Sequence, residues 1–408
     1  MYISSTPNVT VKYPGLVIFS LALGAFSLGI TEFSVMTLIV QIAQSWQIPT
    51  TTATHLISAY AIGVVIGAPL LSLYLTNLPR RKALLTCMGF FVLTHIACIL
   101  SPNYELLLVF RFLSGLPHGA YLGVASLVAA GIMGPENRGK AVARVLLGLT
   151  IATIIGAPLL NYVGNFINWR IFMMVAILTA TLCIMGLIFS IPTHYRQEHA
   201  DLKQELKALG NTQIWLALAC GAVGFGGMFA VYSYMADVLQ HYTHISHEVE
   251  PWIYCVFGIG FSLGYMIMGH FIDKSVTWSG IGIILWAILW LVTYPFIVHQ
   301  IYLVFIWSIA IGISGGIGAV LQVRLMDVAG NAQTMAAALN HSAFNTANAI
   351  GPLLGGYAIT HLGGGSFYPI VGYVGAGLAV LGLLLWIIGT MTYHPHTHQV
   401  PQSRVIKH

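Results

Sequence analysis

Charge is what this sequence has least of. Of 408 residues only 16 are Lys or Arg and 11 are Asp or Glu. That is 7% charged, where a soluble domain carries about a quarter. The scarcity excludes an ordinary soluble enzyme. With 57% hydrophobic residues and a mean hydropathy of +0.84, it also excludes disorder, because so much apolar mass does not stay unfolded in water. Cysteine is sparse too: Cys87, Cys98, Cys183, Cys220 and Cys255 lie in apolar stretches without a C-x-x-C pair. Neither a disulfide framework nor a zinc site is indicated, and they read as packing residues. No basic stripe is interleaved with aromatics, so nucleic acid is not among the expected partners. An integral-membrane enzyme would need a catalytic pair or metal cluster, and no H-E-x-x-H is present. A sensor would need an output domain, and no loop is large enough to hold one.

What is present is hydrophobic length. Twelve windows reach the roughly 20 residues that cross a hydrocarbon core as helix: 15–41, 53–77, 83–100, 104–133, 145–166, 169–191, 212–240, 250–272, 279–298, 301–323, 333–361 and 367–391. Each is continuously apolar, where a barrel strand would alternate over about ten residues. The first window carries Glu32 and lacks an obvious small-residue cleavage site, so it is expected to remain in the mature protein as a span rather than be removed as a signal peptide. The lipid bilayer is therefore the surrounding partner, and the fold class expected is all-α integral membrane.

The basic residues fix an orientation. Lys12, Arg80, Arg81, Lys82, Arg138, Lys140, Arg144, Arg196, Lys203, Lys207, Lys274, Arg324, Arg404 and Lys407 fall at the N-terminus, the even-numbered loops and the C-terminus, together with the span ends beside them. The odd loops hold Arg170 alone, and Arg111 lies inside a span. Loops rich in Lys and Arg stay cytoplasmic, so both termini are expected there.

A shift of 197 positions superimposes Gly24, Ala25 and Gly29 on Gly221, Ala222 and Gly226, and Gly115 and Gly119 on Gly312 and Gly316. A shift of 194 brings Pro158 to Leu160 onto Pro352 to Leu354. Two six-helix halves are the simplest account, giving an N-terminal half over 1–191, a linker over 192–211, a C-terminal half over 212–392 and a tail over 393–408. The linker is the longest polar stretch, and Leu202, Leu206 and Leu209 recur in it at helical spacing. It is either a solvated connector or a short interfacial helix. The tail places His394, His396 and His398 at alternate positions; a polar mobile tail is the simpler reading than a metal site, and no metal is expected.

Glu32 and Arg111 are the clearest ionisable groups deep in spans, where charge is expensive. Glu32 lies nine residues before the end of span 1 and Arg111 seven residues after the start of span 4. At 1.5 Å per residue both sit roughly 10–14 Å below the same boundary. They are expected to face a central cavity, either as a pair or as partners that alternate with protonation. Burial disfavours a charged carboxyl group and a nearby guanidinium favours it, so a change in hydration or distance loads and releases a proton. Arg keeps its proton, which leaves Glu32 as the proton site. A static ion pair joining two helices is the alternative.

Span 4 continues with Gly115, Gly119 and Gly123 on one face, a close-packing signal. His118 beside Pro117 either lines the cavity or relays protons, or is a hydrogen-bonded core histidine. In span 11, His341, Asn345 and Asn348 form one polar stripe. Such a stripe either binds substrate or holds helices together. Phe26, Phe33, Tyr121, Phe229, Tyr232, Tyr254 and Phe257 are candidates for the apolar wall of a small-molecule pocket.

Several segments then carry a resemblance. Gly29–Phe33 (GITEF), Arg111–Ala120 (RFLSGLPHGA), Trp169–Arg170 and Gly351–Gly356 (GPLLGG) resemble the drug:proton antiporter branch of the major facilitator superfamily, particularly the bacterial sugar-efflux and arabinose-efflux-like proteins, over residues 14–392. The resemblance implies twelve helices in two pseudo-symmetric halves in the bacterial inner membrane, an architecture for which a monomer suffices. It implies export of a drug, sugar or nucleoside by alternating access around a midplane site, driven by the proton gradient without a cofactor. A facilitator or symporter importing a sugar or nucleoside is the alternative. It also implies an acidic proton site in span 1 and a motif Arg in span 4, matching Glu32 and Arg111.

The family's gating motif, G-x-x-x-D-[RK]-x-G-R-[KR], is present unequally. The copy between spans 2 and 3 keeps Arg80, Arg81 and Lys82 but has Ser72 and Thr76 for Gly and Asp. The copy between spans 8 and 9 keeps Gly269, Asp273 and Lys274. The span 5 motif, with Ala157 and Asn161-Tyr162 in place of its glycines, matches weakly around Pro158.

Overall fold

The computed structural model describes residues 11–48, 50–53, 55–75, 77–156, 168–192, 209–245, 249–330, 333–363 and 367–393. Among them the chain is entirely helical. The first half runs α1 (Pro14–Thr37), α2 (Ile39–Trp46), α3 (Thr50–Ala53), α4 (His55–Leu75), α5 (Arg80–Ile99), α6 (Tyr104–Met133), α7 (Arg138–Ile151) and α8 (Ile171–Ser190). The second runs α9 (Thr212–Ala219), α10 (Gly226–His241), α11 (Glu250–Ile272), α12 (Val276–Ile297), α13 (Ile301–Ile313), α14 (Ile317–Val328), α15 (Gln333–His361) and α16 (Val371–Met391). The linker over 193–208, Pro158 with its neighbours, Thr76 and the histidines of the tail lie outside the described residues.

Among the described residues eleven stretches are long and apolar enough to cross a membrane. The remaining expected span, α15, is 29 residues long and too polar to qualify by composition. Its polarity has a structural cause. Most of α15 is buried against α4, α6 and α10, so its polar side chains meet protein rather than lipid. Two spans are composite: α9 and α10 join through a π-helical turn over Cys220–Gly224, and α13 and α14 through a 3-10 turn over Ser314–Gly316. At two starts a side chain sets the helix boundary. The Asn103 carboxamide caps α6 by accepting from Leu106 N at 2.9 Å, and the Ser275 hydroxyl accepts from Trp278 N at 3.4 Å at the start of α12.

The repeat is visible as packing. A Cβ on Gly63 would stand 2.1 Å from the Phe112 carbonyl oxygen, and one on Gly260 would stand 2.2 Å from that of Ile309, each partner being 197 positions on. Gly67 on Leu116 and Gly264 on Ile313 repeat the relation, as do Gly115 on Tyr60 and Gly312 on Phe257. Backbones of α4 and α6, and of α11 and α13, are therefore in direct contact, which only glycine permits. The match of spans 5 and 11 at 194 does not carry over into packing. Gly29 approaches Leu149 while Gly226 approaches Ala347, a separation of 198. Pro158–Leu160 lie outside the described residues, so the packing comparison of these two spans stops at Leu149 and Ala347.

The halves meet along two seams: α4 and α6 pack on α15, and α7 packs on α11 and α14. Between the seams lies the cavity.

Candidate functional site: a cavity between the halves

The cavity encloses about 670 Å³ of empty space counted out to its mouth. The first half contributes Glu32, Phe33, His118, Leu149 and Thr153. The second contributes Met228, Phe229, Tyr232, Phe257, Phe261, Tyr265, His341, Phe344 and Asn345. The opposed walls differ in chemistry, with the carboxyl group on one side and an aromatic sheet on the other.

Glu32, on α1, is partly exposed to this space, and it is the only carboxyl group among the lining residues. Arg111 is not in the lining. Its side chain is 1% exposed, with the guanidinium carbon 4.4 Å from the centre of the Tyr60 ring and Nη2 donating to the Thr31 carbonyl at 3.3 Å. Nε and Nη1 have no hydrogen-bond partner. Ion pairs among the described residues are Arg138–Asp327 and Lys140–Asp273, so Glu32 and Arg111 are adjacent through Thr31 but unbridged in this conformation. A buried guanidinium stacked on a phenol ring keeps some stabilisation through the ring's negative face while its counter-charge stands one residue away.

His118, 1% exposed, shares a 2.7 Å hydrogen bond through Nδ1 with the Tyr60 hydroxyl. His341 faces it from α15, with ring centres 5.6 Å apart. Asn345 Nδ2 donates to the His341 carbonyl at 3.0 Å. His118, His341 and Asn345 all line the cavity, as do Phe33, Phe229 and Tyr232. Asn348 is half-buried and falls outside the lining: it shares the stripe's direction but stands about 10 Å along the helix from His341, at 1.5 Å per residue. Phe26 is half-buried against the core of the first half. Tyr254 stands behind the wall, edge-on to Tyr232 at 5.3 Å.

Tyr121 is a correction. It is fully buried inside the first half, its hydroxyl donating to the Leu21 carbonyl at 2.9 Å, with Cys183 Sγ at 3.4 Å. It follows His118 by three residues, and at that displacement its bulky ring is drawn into the space left over Gly24 on α1.

The sequence reading missed Tyr60, Thr153, Met228, Leu149, Phe261, Tyr265 and Phe344. One signal was available: Phe257, Phe261 and Tyr265 recur every four residues on α11, a stripe of one chemistry on one helix face. Tyr60 had no such signal, since only the packing of α4 on α6 brings it to Arg111 and His118. The hydrolase spelling G-x-S-x-G occurs twice, at Gly260–Gly264 inside α11 and at Gly312–Gly316 where α13 joins α14, neither of them a strand-to-helix turn. Gly260 and Gly264 receive α13, and Ser262 donates to Thr150 Oγ1 at 2.6 Å.

One end of the bundle is latched between the halves. Arg138 Nη1 meets Asp327 Oδ1 at 2.5 Å, Asp273 Oδ1 accepts from Gly139 N at 2.7 Å, and Lys140 Nζ lies 3.9 Å from Asp273. Arg80 donates to Thr334 Oγ1 at 3.0 Å, at the start of α15. Of the expected gating residues, Arg80 and Asp273 thus reach across. Arg81 is half-buried, and Lys82 and Lys274 are exposed, Lys274 lying 5.5 Å from the Phe271 ring. The carboxylate of Asp273 sits where the first free N–H groups of α7 point, a favourable place for negative charge.

An all-helical, multi-pass membrane bundle whose two halves enclose a central cavity is the architecture of a secondary transporter. The comparisons agree: the profile described as Major Facilitator Superfamily matches residues 21–244 and 218–406, and the chain belongs to that family. It is 35% identical over 372 residues to the inner membrane transport protein YdhP of Escherichia coli (strain K12), covering 91% of this chain and 95% of the relative. A probable sugar efflux transporter of Helicobacter acinonychis (strain Sheeba) is 28% identical over 374 residues, covering 90% and 93%. Among solved structures, the human organic anion transporter MFSD10 superposes with a TM-score of 0.68 at 12% identity, covering 91% of this chain and 98% of that one, which is a likeness of fold.

Proposed function

We propose that this protein exports an amphipathic aromatic molecule, neutral or cationic, in exchange for protons, with Glu32 as the proton site. One observation carries the reading: among the described residues Glu32 is the sole carboxyl group lining a cavity whose wall is otherwise mainly aromatic and apolar, with His118, His341, Asn345 and Thr153 its other polar members. Phe229, Tyr232, Phe257, Phe261, Tyr265 and Phe344 offer ring faces to an apolar body and to a cation. Among the described residues no Lys or Arg lines the space to compensate an anion. Protonation and substrate compete for one carboxyl group, and the guanidinium of the buried Arg111 stands behind Thr31. Export is supported by the efflux function in the name of the Helicobacter relative. The bacterial inner membrane is supported by the name of the Escherichia relative, and cytoplasmic termini by the placement of basic residues. On this reading the latched end is the cytoplasmic end and the proton gradient drives a monomer without a cofactor.

A sugar substrate is the second reading, favoured by the name of the Helicobacter relative. Proteoliposomes with an imposed pH gradient separate them. A lipophilic aromatic amine should move opposite to protons, and Glu32→Gln should abolish that movement in folded protein. Gradient-driven movement of a sugar but not of the amine would establish the second reading. Uptake that ignores the gradient and Glu32 would make the protein a facilitator.

A further inference from the structure

The cavity holds a pair of side chains that the proton and substrate reading does not use as a pair. His118 on α6 and His341 on α15 come from opposite halves and face each other at 5.6 Å between ring centres, inclined by 56°. His118 Nδ1 is occupied by the Tyr60 hydroxyl, which leaves Nε2 for the cavity. His341 Nε2 is buried and has no partner. A buried imidazole nitrogen without a hydrogen bond is costly unless something else fills its lone pair.

We propose that His118 and His341 form a binding site for a borderline divalent transition-metal ion of the zinc, cobalt or copper type, clamping the two halves together. Metal–nitrogen distances are about 2.0–2.1 Å, so two imidazoles sharing a tetrahedral ion have ring centres roughly 5 Å apart, close to the spacing present. Imidazole nitrogen suits these ions and not calcium or magnesium, which take oxygen ligands. The Tyr60 hydroxyl on Nδ1 is the outer-shell contact that fixes a ligating ring in orientation. No group of three His, Cys, Asp or Glu side chains converges among the described residues. The site therefore has two protein ligands and open positions for water, so the ion exchanges and does not serve as a structural staple. Each half supplies one ligand, so the ion binds best to the arrangement in which the halves are latched as described, and it shifts the population toward that state. The consequence is reversible inhibition of transport by the metal, which does not depend on Glu32 being the proton site.

The test is titration of Zn2+ into purified full-length protein in which His394, His396, His398 and His408 are replaced by Gln, so that the tail does not compete. Loss of an outer-shell partner alone weakens a metal site about 10–100-fold, so removing one of the two direct ligands should weaken it by at least about tenfold. His118→Gln, His341→Gln and the double variant should lose it to the same extent, because neither imidazole holds the ion alone. Equal Zn2+ affinity in the parent and all three variants overturns the proposal, as does an additive loss, which marks two independent sites. One equivalent of Cu2+ bound to the parent should show nitrogen hyperfine structure from two imidazoles in its paramagnetic resonance spectrum. A spectrum without it overturns the proposal even where the cavity variants do not fold.

Discussion

The two halves share packing and differ in chemistry. At positions 197 apart, the backbone contacts of Gly63 and Gly260, of Gly67 and Gly264, and of Gly115 and Gly312 coincide. At the same separation Glu32 stands opposite Phe229, Tyr60 opposite Phe257, Arg111 opposite Ser308 and His118 opposite Gly315. Every charged or titratable member of the first set has lost that character in the second. Helix packing constrains both halves alike, because a side chain at the glycine positions would separate the helices. Cavity-facing positions carry no such constraint, so the first half holds the carboxyl group while the second presents most of the aromatic surface, with His341 and Asn345 among it.

The largest effect is expected from exchanging this chemistry. Glu32→Gln should eliminate the response of transport to a pH gradient, whereas Phe229→Leu, at the equivalent position, should retain that response with altered substrate affinity; flux in proteoliposomes measures both. Equal behaviour of the two variants would break the division of labour. Shared packing is challenged next. Gly63→Ala and Gly260→Ala should each destabilise the folded bundle by about 1–3 kcal/mol, the usual cost of overpacking. Gly89→Ala and Gly282→Ala, where nothing lies within 4 Å of the added carbon, should leave thermal melting in detergent nearly unchanged.

The latch gives a smaller expected effect. Asp273→Ala leaves Gly139 N without its acceptor, a loss of about 1–2 kcal/mol. Asp327→Asn weakens a partly exposed pair by about 1 kcal/mol or less. Both should lengthen the distance between spin labels at Lys82→Cys and Lys274→Cys, the first more than the second. Smallest of all is Tyr60→Phe, which keeps the ring beneath Arg111 and removes the hydrogen bond to His118. About 1 kcal/mol of stability should be lost, with gradient-driven transport retained.

Much of the site was legible because membranes make polar residues conspicuous. Glu32, His118, His341 and Asn345 stand out in apolar spans, and all four line the cavity. Arg111 stands out equally, but depth alone did not reveal that Tyr60 and the Thr31 carbonyl lie between it and the space. Aromatics were less legible. Phe33 and Phe229 face the cavity while Tyr121 is enclosed within its own half, because in an apolar span a ring satisfies lipid, core or cavity equally well. The latch was half legible for the same reason: Asp273 was marked by a motif, but Asp327 is one acid among eleven with nothing local to name Arg138 as its partner.

Local sequence, then, was enough to place the chain in a bilayer as an even number of helices in two related halves, since length, hydropathy and glycine spacing are one-dimensional properties read directly by lipid and by the neighbouring turn. Which side chains share the cavity, that Arg111 stacks on Tyr60 while Glu32 faces the space, that His118 meets His341 across the halves, and which end is latched were decided by tertiary structure. Those relations join residues far apart in the chain: 223 positions separate His118 from His341 and 254 separate Arg80 from Thr334. They depend on the angle at which each helix presents its face, which no local stretch of sequence encodes.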